Sequence, residues 1–192
     1  MPKSSAQVLN THDQVMEWVR QAIIVMSASL FVALCARVTV PLPFTPVPLT
    51  LQNLGVLLVG LTLGSRRGLA ALTLYVIEGA SGLPVFNPAG PGGLAQLFGP
   101  TGGFLLAYPI VAWAAGWITE QGKKTFARAA LASVVAEVIL FAGGLTWLFI
   151  LTHSFLQALR FGLYWFVFAE VIKVMAAAAI ASGWKRAYKV RP

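Results

Sequence analysis

The sequence predicts an all-α integral membrane protein with six transmembrane helices, and three observations carry the prediction. Of its 192 residues 58% are hydrophobic and only 10% charged, with a mean hydropathy of +0.78. A soluble domain carries roughly 25% charged residues, so too few polar side chains are present to cover a water-facing surface, and the bilayer must solvate most of the chain. Apolar runs recur at about 22–40, 51–64, 68–82, 103–119, 129–152 and 161–183. Lys and Arg collect in short clusters between alternate runs, the pattern of topology signals rather than of one basic face for nucleic acid.

Residues 1–20 lack a basic stretch leading directly into a short apolar core and a cleavage site, so no signal peptide is expected. Met16, Trp18 and Val19 among Glu17, Arg20 and Gln21 suggest an amphipathic beginning to the first helix at the inner surface. Residues 21–184 form one six-helix membrane domain, and 185–192 a basic tail. The second and third runs are short for a span of roughly 20 residues, with "GLTLGSRRG" as the tight turn between them. With the N-terminus inside, Lys3, Arg20, Arg66, Arg67, Lys123, Lys124, Arg128, Lys185, Arg186, Lys189 and Arg191 all fall on the cytoplasmic side, which puts both termini there. Arg160 faces out and Arg37 lies near an outer helix end.

This topology leaves 41–50, 81–102 and 152–162 outside. The middle connection, "SGLPVFNPAGPGGLAQLFGPTG", has too much Gly and Pro to continue a helix. Its Leu83, Val85, Phe86, Leu94, Leu97 and Phe98 are too apolar for a solvated linker. It should fold back over the helix ends, either as plain packing or as a lid over a pocket.

Glu78, Glu137, Glu170 and Lys173 lie inside the predicted spans, where each would cost about 2.5–3.5 kcal/mol facing lipid at mid-depth. They should face inward. Glu170 and Lys173, at i and i+3, share a helix face and can neutralise one another, but two hydrophobic residues would be cheaper still. A ligand that uses the pair explains its presence more economically. Glu137, one helix earlier, either lines the same cavity or pairs with Lys173, and Glu78 sits near an outer, wetter helix end. Aromatics crowd the outer half, mostly as interface and packing residues; Tyr75 and Trp147 are candidates to wall an apolar ligand. Ser29 and Ala33 make a small-xxx-small pair on the first helix, suited equally to packing inside the chain and to docking on another membrane protein.

No GxxxxGK[ST], GxGxxG or HExxH occurs, and His12 and His153 stand apart without companion ligands. The chain therefore has no ATPase motif of its own, and no metal or cofactor is expected. Cys35, the only cysteine, reads as a small buried hydrophobe.

The run "VPLPFTPVPLTLQNLGVLLVGLTLGSRRGLAALTLYVIEGASGLPVF", continued by "GGLAQLFGPTGGFLLAYPI", "GLTWLFILT" and "AEVIK", resembles the BioY family, the biotin-binding S components of energy-coupling-factor (ECF) transporters. The resemblance extends over about residues 28–180, and "TPVPLTLQ", "GLPVF" and "LFGPTGG" in that order carry its specificity. It implies the ECF S-component fold, with a biotin site near the extracellular side closed by the outer loops. The family's last helix has an acidic residue followed three positions later by Lys, a pattern that falls here on Glu170 and Lys173. Glu170 would accept from the ureido N–H groups, and Lys173 would meet the valerate carboxylate or fix Glu170. Asn87, directly after "LPVF", falls where the family contributes polar ligand contacts, with Phe86 beside it. Ser29 and Ala33 match the place of an AxxxA motif that docks on the T subunit. The chain departs from the family's usual Pro-Gly-Asp in having "FAE", a carboxylate one methylene longer without the helix break.

The function so implied is high-affinity biotin binding for uptake across the bacterial cytoplasmic membrane, with biotin as transported ligand. The partners are a transmembrane T subunit and two ATP-binding subunits in the lipid bilayer, and nucleic acid is excluded. The alternatives are a solitary biotin transporter and a membrane enzyme using Glu137 and Glu170 as acid and base. The apolar surroundings offer that enzyme no second polar constellation.

Overall fold

The computed structural model describes residues 5–123 and 125–189, with side chains over 14–123 and 125–183. Lys3, Lys124 and Arg191, used above as topology signals, lie outside the described residues, as do the side chains of His12, Lys185, Arg186 and Lys189.

Each of the six apolar runs is a helical body. Helix α1 (Ser5–Arg37) is continuous, so the amphipathic beginning and the first span form one rod rather than two segments. Helices α2 (Gln52–Leu63) and α3 (Ser65–Ala80) are joined through Gly64 alone, which adopts φ 87° and lets the chain reverse where a side chain would be strained. A short α4 (Gly93–Phe98) lies within the 81–102 connection, followed by α5 (Gly102–Glu120) and α6 (Phe126–Thr152). The last run is broken: α7 (Phe155–Leu159), a π turn over Arg160–Tyr164, and α8 (Val167–Lys189). The sequence had suggested one run over 161–183 without a break. Instead the chain bends by 45° between the π turn and α8, and Thr45 Oγ1 donates to the Phe161 carbonyl at 2.7 Å, satisfying backbone that the irregular turn leaves free.

Among the described residues, α1 from Gln14, α5 and α6 are long and apolar enough to cross a bilayer, and the bent α7–α8 pair adds a fourth crossing by the same measure. Helix α2, with 12 residues, is about 18 Å long against a hydrocarbon core of about 30 Å. The outward faces agree with lipid as solvent. Ile23, Met26, Leu30 and Leu34 on α1, Leu131, Val134 and Val138 on α6, and Val171, Ile172 and Met175 on α8 are all exposed.

Helix α5 is the central strut, packed against α2, α3 and α6, with α8 against α2 and α6. A side chain at Gly60 would meet the Ala112 carbonyl at 2.5 Å, so the α2–α5 approach depends on small residues, as expected where lipid supplies no hydrophobic drive between helices. Ser29 and Ala33 serve the same purpose. Both are buried inside the chain, and Ser29 Oγ donates to Glu78 of α3. The reading of that pair as a docking face for a T subunit is therefore corrected, because both side chains are buried within the chain, where α1 packs on α2 and α3. At the opposite end of α2 from Gly64, Thr39–Val40 (β1) pairs antiparallel with Leu49–Thr50 (β2), in register Thr39 with Thr50 and Val40 with Leu49, and fixes the 41–48 loop over the helix ends.

Candidate functional site

Helix α8 starts afresh at Val167, which puts Glu170 in its first turn, where the N-terminal end of the helix dipole favours a carboxylate. Three residues on, Lys173 Nζ lies 2.7 Å from Glu170 Oε1, both residues being buried. The pair is thus joined, as the spacing predicts. Glu170 Oε2 is held by a residue that charge counting does not flag: Asn53, in the first turn of α2, donates from Nδ2 to Glu170 Oε2 at 2.7 Å and to Glu137 Oε1 at 2.6 Å. One amide thus joins α2, α6 and α8, and Glu137 enters the cluster through Asn53, with no ion pair to Lys173.

Beside this cluster a narrow cavity of about 50 Å³ opens, lined by Gln52, Asn53, Asn87, Glu170 and Lys173 on its polar side. Its apolar wall comes from Phe104, Leu105, Tyr108, Leu140, Phe141 and Phe166. A space of that size takes a few waters, so a larger ligand requires these side chains or the loop above to shift. Four buried polar atoms of the neighbourhood have no hydrogen-bond partner: Gln52 Nε2, Asn53 Oδ1, Asn87 Oδ1 and Glu137 Oε2. Unpaired buried amides each cost about 1–3 kcal/mol, and three of these four atoms, on Gln52, Asn53 and Asn87, belong to residues that form the cavity wall.

Of the residues singled out in the sequence, Glu170, Lys173 and Asn87 meet at this cavity. Tyr75, Phe86 and Trp147 are not in its lining. Tyr75 is wholly buried, donates to the Val85 carbonyl at 2.9 Å and meets Phe86 edge to face at 5.5 Å, so both aromatics anchor the loop to α3. Trp147 Nε1 donates to the Gly99 carbonyl at 2.9 Å and pins the other end of the same loop to α6. The aromatics on the cavity are instead Phe104 and Tyr108 of α5, Phe141 of α6 and Phe166 before α8. The 81–102 connection does fold back: Phe86 and Leu97 are buried and Val85 half-buried, whereas Leu83, Leu94 and Phe98 stay exposed.

Residues 4–190 match the BioY family model. The chain is 38% identical over 135 residues to biotin transporter BioY2 of Lactococcus lactis, covering 70% of this chain and 74% of that one. It is 37% identical to a probable biotin transporter BioY of Pyrococcus horikoshii (80% and 90% covered). It is 36% identical to the biotin transporter BioY of Thermotoga maritima (84% and 95%). The crystal structure of the S-component for biotin from an ECF-type ABC transporter superposes with a TM-score of 0.78 over 88% of this chain and 93% of that one, at 22% identity, which shows a shared S-component fold. With the family matched over nearly its whole length and the fold shared, this chain is a membrane transport protein, not an enzyme, and it belongs to the BioY family.

Proposed function

We propose that this chain is the biotin-binding S subunit of an ECF transporter in the bacterial cytoplasmic membrane, crossing it six times with both termini inside and working with a T subunit and two ATP-binding subunits. The observation that carries the reading is the cavity where a buried ion pair and three amides with unpartnered atoms converge. A ureido ring offers two N–H donors and one carbonyl acceptor. Glu170 and Asn87 Oδ1 are acceptors suited to the first, and Gln52 Nε2 is a donor suited to the second. The ring's sulfur-containing apolar side fits the wall of Phe104, Tyr108, Phe141 and Phe166. Lys173, already engaged with Glu170 at 2.7 Å, holds that carboxylate in its acceptor orientation. Loop 81–102, anchored at Phe86 and Trp147 and bearing Asn87, acts as the lid.

The test is mass spectrometry of small molecules that copurify with the protein, followed by biotin titration of ligand-free protein. Copurified biotin and saturable binding are the expected results; a chain that binds no biotin in either measurement would overturn the reading. Copurification of the chain with a T subunit and ATP-binding subunits, together with biotin uptake in cells with and without them, tests the partnership, and uptake undiminished by their loss would make this a solitary transporter.

A further inference from the structure

Biotin carries an anionic valerate arm as well as its ureido ring, and among the described residues the cavity's one lining cation, Lys173, is taken by Glu170. A second groove lies along the loop, lined by Arg37, Leu83, Pro84, Asn87, Pro88 and Gln96 among others. Asn87 is common to both linings, so the groove and the cavity adjoin at this residue, itself buried with Oδ1 unpartnered. Arg37, the last residue of α1, donates from Nη2 to the Pro84 carbonyl, which aims the guanidinium at the loop. That partner is neutral. Among the described residues the ion pairs are Arg20 with Glu17 and Lys173 with Glu170, and Arg37 stands in neither. An exposed guanidinium fixed by one carbonyl keeps further N–H donors for a carboxylate.

We propose, resting on the biotin reading above, that the site is divided in two: the inner cavity takes the ureido ring, and the loop groove takes the valerate carboxylate on Arg37, with Asn87 as the shared wall across which the arm lies. Arg37 then determines preference for the free acid over neutral-tailed analogues, while the inner cluster determines recognition of the ring.

The experiment measures affinities of biotin and of biotinamide, whose ring is identical and whose tail is uncharged, for the wild-type chain and for Arg37→Gln. The wild type should prefer biotin by about three- to tenfold, the worth of one partly exposed charge-assisted contact. Arg37→Gln should lose that preference, its biotinamide affinity staying within about twofold of wild type, and Arg37→Lys should restore part of it. Equal wild-type affinities for the two ligands would overturn the division without any variant being needed. An equal loss of both ligands in Arg37→Gln would also overturn it, showing that Arg37 only anchors Pro84. Absence of biotin binding by the wild type would instead overturn the function on which the proposal rests, so the two failures are distinguishable.

Discussion

The two ends of helix α2 handle carboxylates in opposite ways. At its far end, beyond Gly64, Glu120 of α5 accepts from the Ser65 backbone N–H at 2.8 Å and from Ser65 Oγ at 2.7 Å, one oxygen for each donor, and so caps the start of α3. At its near end, Asn53 divides its amide nitrogen between Glu137 and Glu170, and Glu137 Oε2 and Asn53 Oδ1 are left unpartnered beside a cavity. A polar site whose purpose is packing closes on itself, since each unmet buried group costs stability. A site that keeps unmet groups next to a cavity holds them for something else. If this contrast is right, substitutions at the near end change ligand affinity first, and substitutions at the far end change stability alone.

The largest effect is expected from Lys173→Met. Among the described residues it removes the one partner that holds Glu170 by charge and leaves that carboxylate buried beside Asn53. Biotin affinity should fall on the order of 100-fold, since hydrogen bonds to charged groups contribute about 1.5–3 kcal/mol and an unpaired buried charge adds to the loss. Isothermal titration of the purified variant measures it; unchanged affinity would reduce the pair to mutual neutralisation.

Next comes the order of two substitutions at one position. Glu170→Gln should weaken biotin binding by roughly 10- to 100-fold. Glu170→Asp should cost no more than about tenfold, because a shorter carboxylate still accepts from N–H donors. Gln binding as tightly as Glu would remove the acceptor role.

Asn53→Leu sharpens the contrast further. The substitution deprives both carboxylates of their shared donor and should lower affinity by about tenfold, the worth of one or two hydrogen bonds, while also lowering thermal stability. Adding Glu137→Gln to Asn53→Leu replaces the carboxyl left without its donor by an amide and should recover the stability but not the affinity. Recovery of both would show that Asn53 acts on the fold and not on Glu170.

How much of this was legible beforehand depends on what each residue type signals. A charged residue in an apolar run is conspicuous because its insertion cost has to be met, and Glu170, Lys173 and Glu137 stood out on that ground. Six apolar runs and the tight turn at Gly64 were equally plain, since run length and Gly chemistry are local properties. Asn53 and Gln52 were not visible: in "LTLQNLG" two amides after a loop look like turn or cap residues. Their role exists only once α2 lies against α6 and α8. The aromatics failed for a related reason, as Tyr75 and Trp147 have the same composition whether they wall a ligand or pin a loop. The direction of one hydroxyl and one indole N–H, toward the Val85 and Gly99 carbonyls, made the choice. Ser29 and Ala33 were ambiguous because small surfaces serve internal and external packing alike. The break before α8 has no Pro to announce it and only Gly162 inside its π turn, whose Phe161 carbonyl accepts from Thr45, 116 positions away in sequence.

The smallest expected effect lies at the far end and is the control for the rest. Glu120→Ala deletes both acceptors of the Ser65 cap, and a lost N-terminal cap costs about 1 kcal/mol, equivalent to a fall of about 2–4 °C in Tm for a chain of this size. Helix α3 would begin to fray at Ser65, next to Gly64 and the close approach of Gly116 to the Ser65 backbone. Asn53 and Glu170 are separated from that corner by the whole of α2, a packed helix held against α5 and α8, so biotin affinity should stay within about twofold. Thermal unfolding followed by tryptophan fluorescence, with biotin titration on the same preparation, reads both quantities. A tenfold loss of affinity in Glu120→Ala would mean that α2 moves as a lever between its two ends, and that the closed and open carboxylate sites are one coupled device.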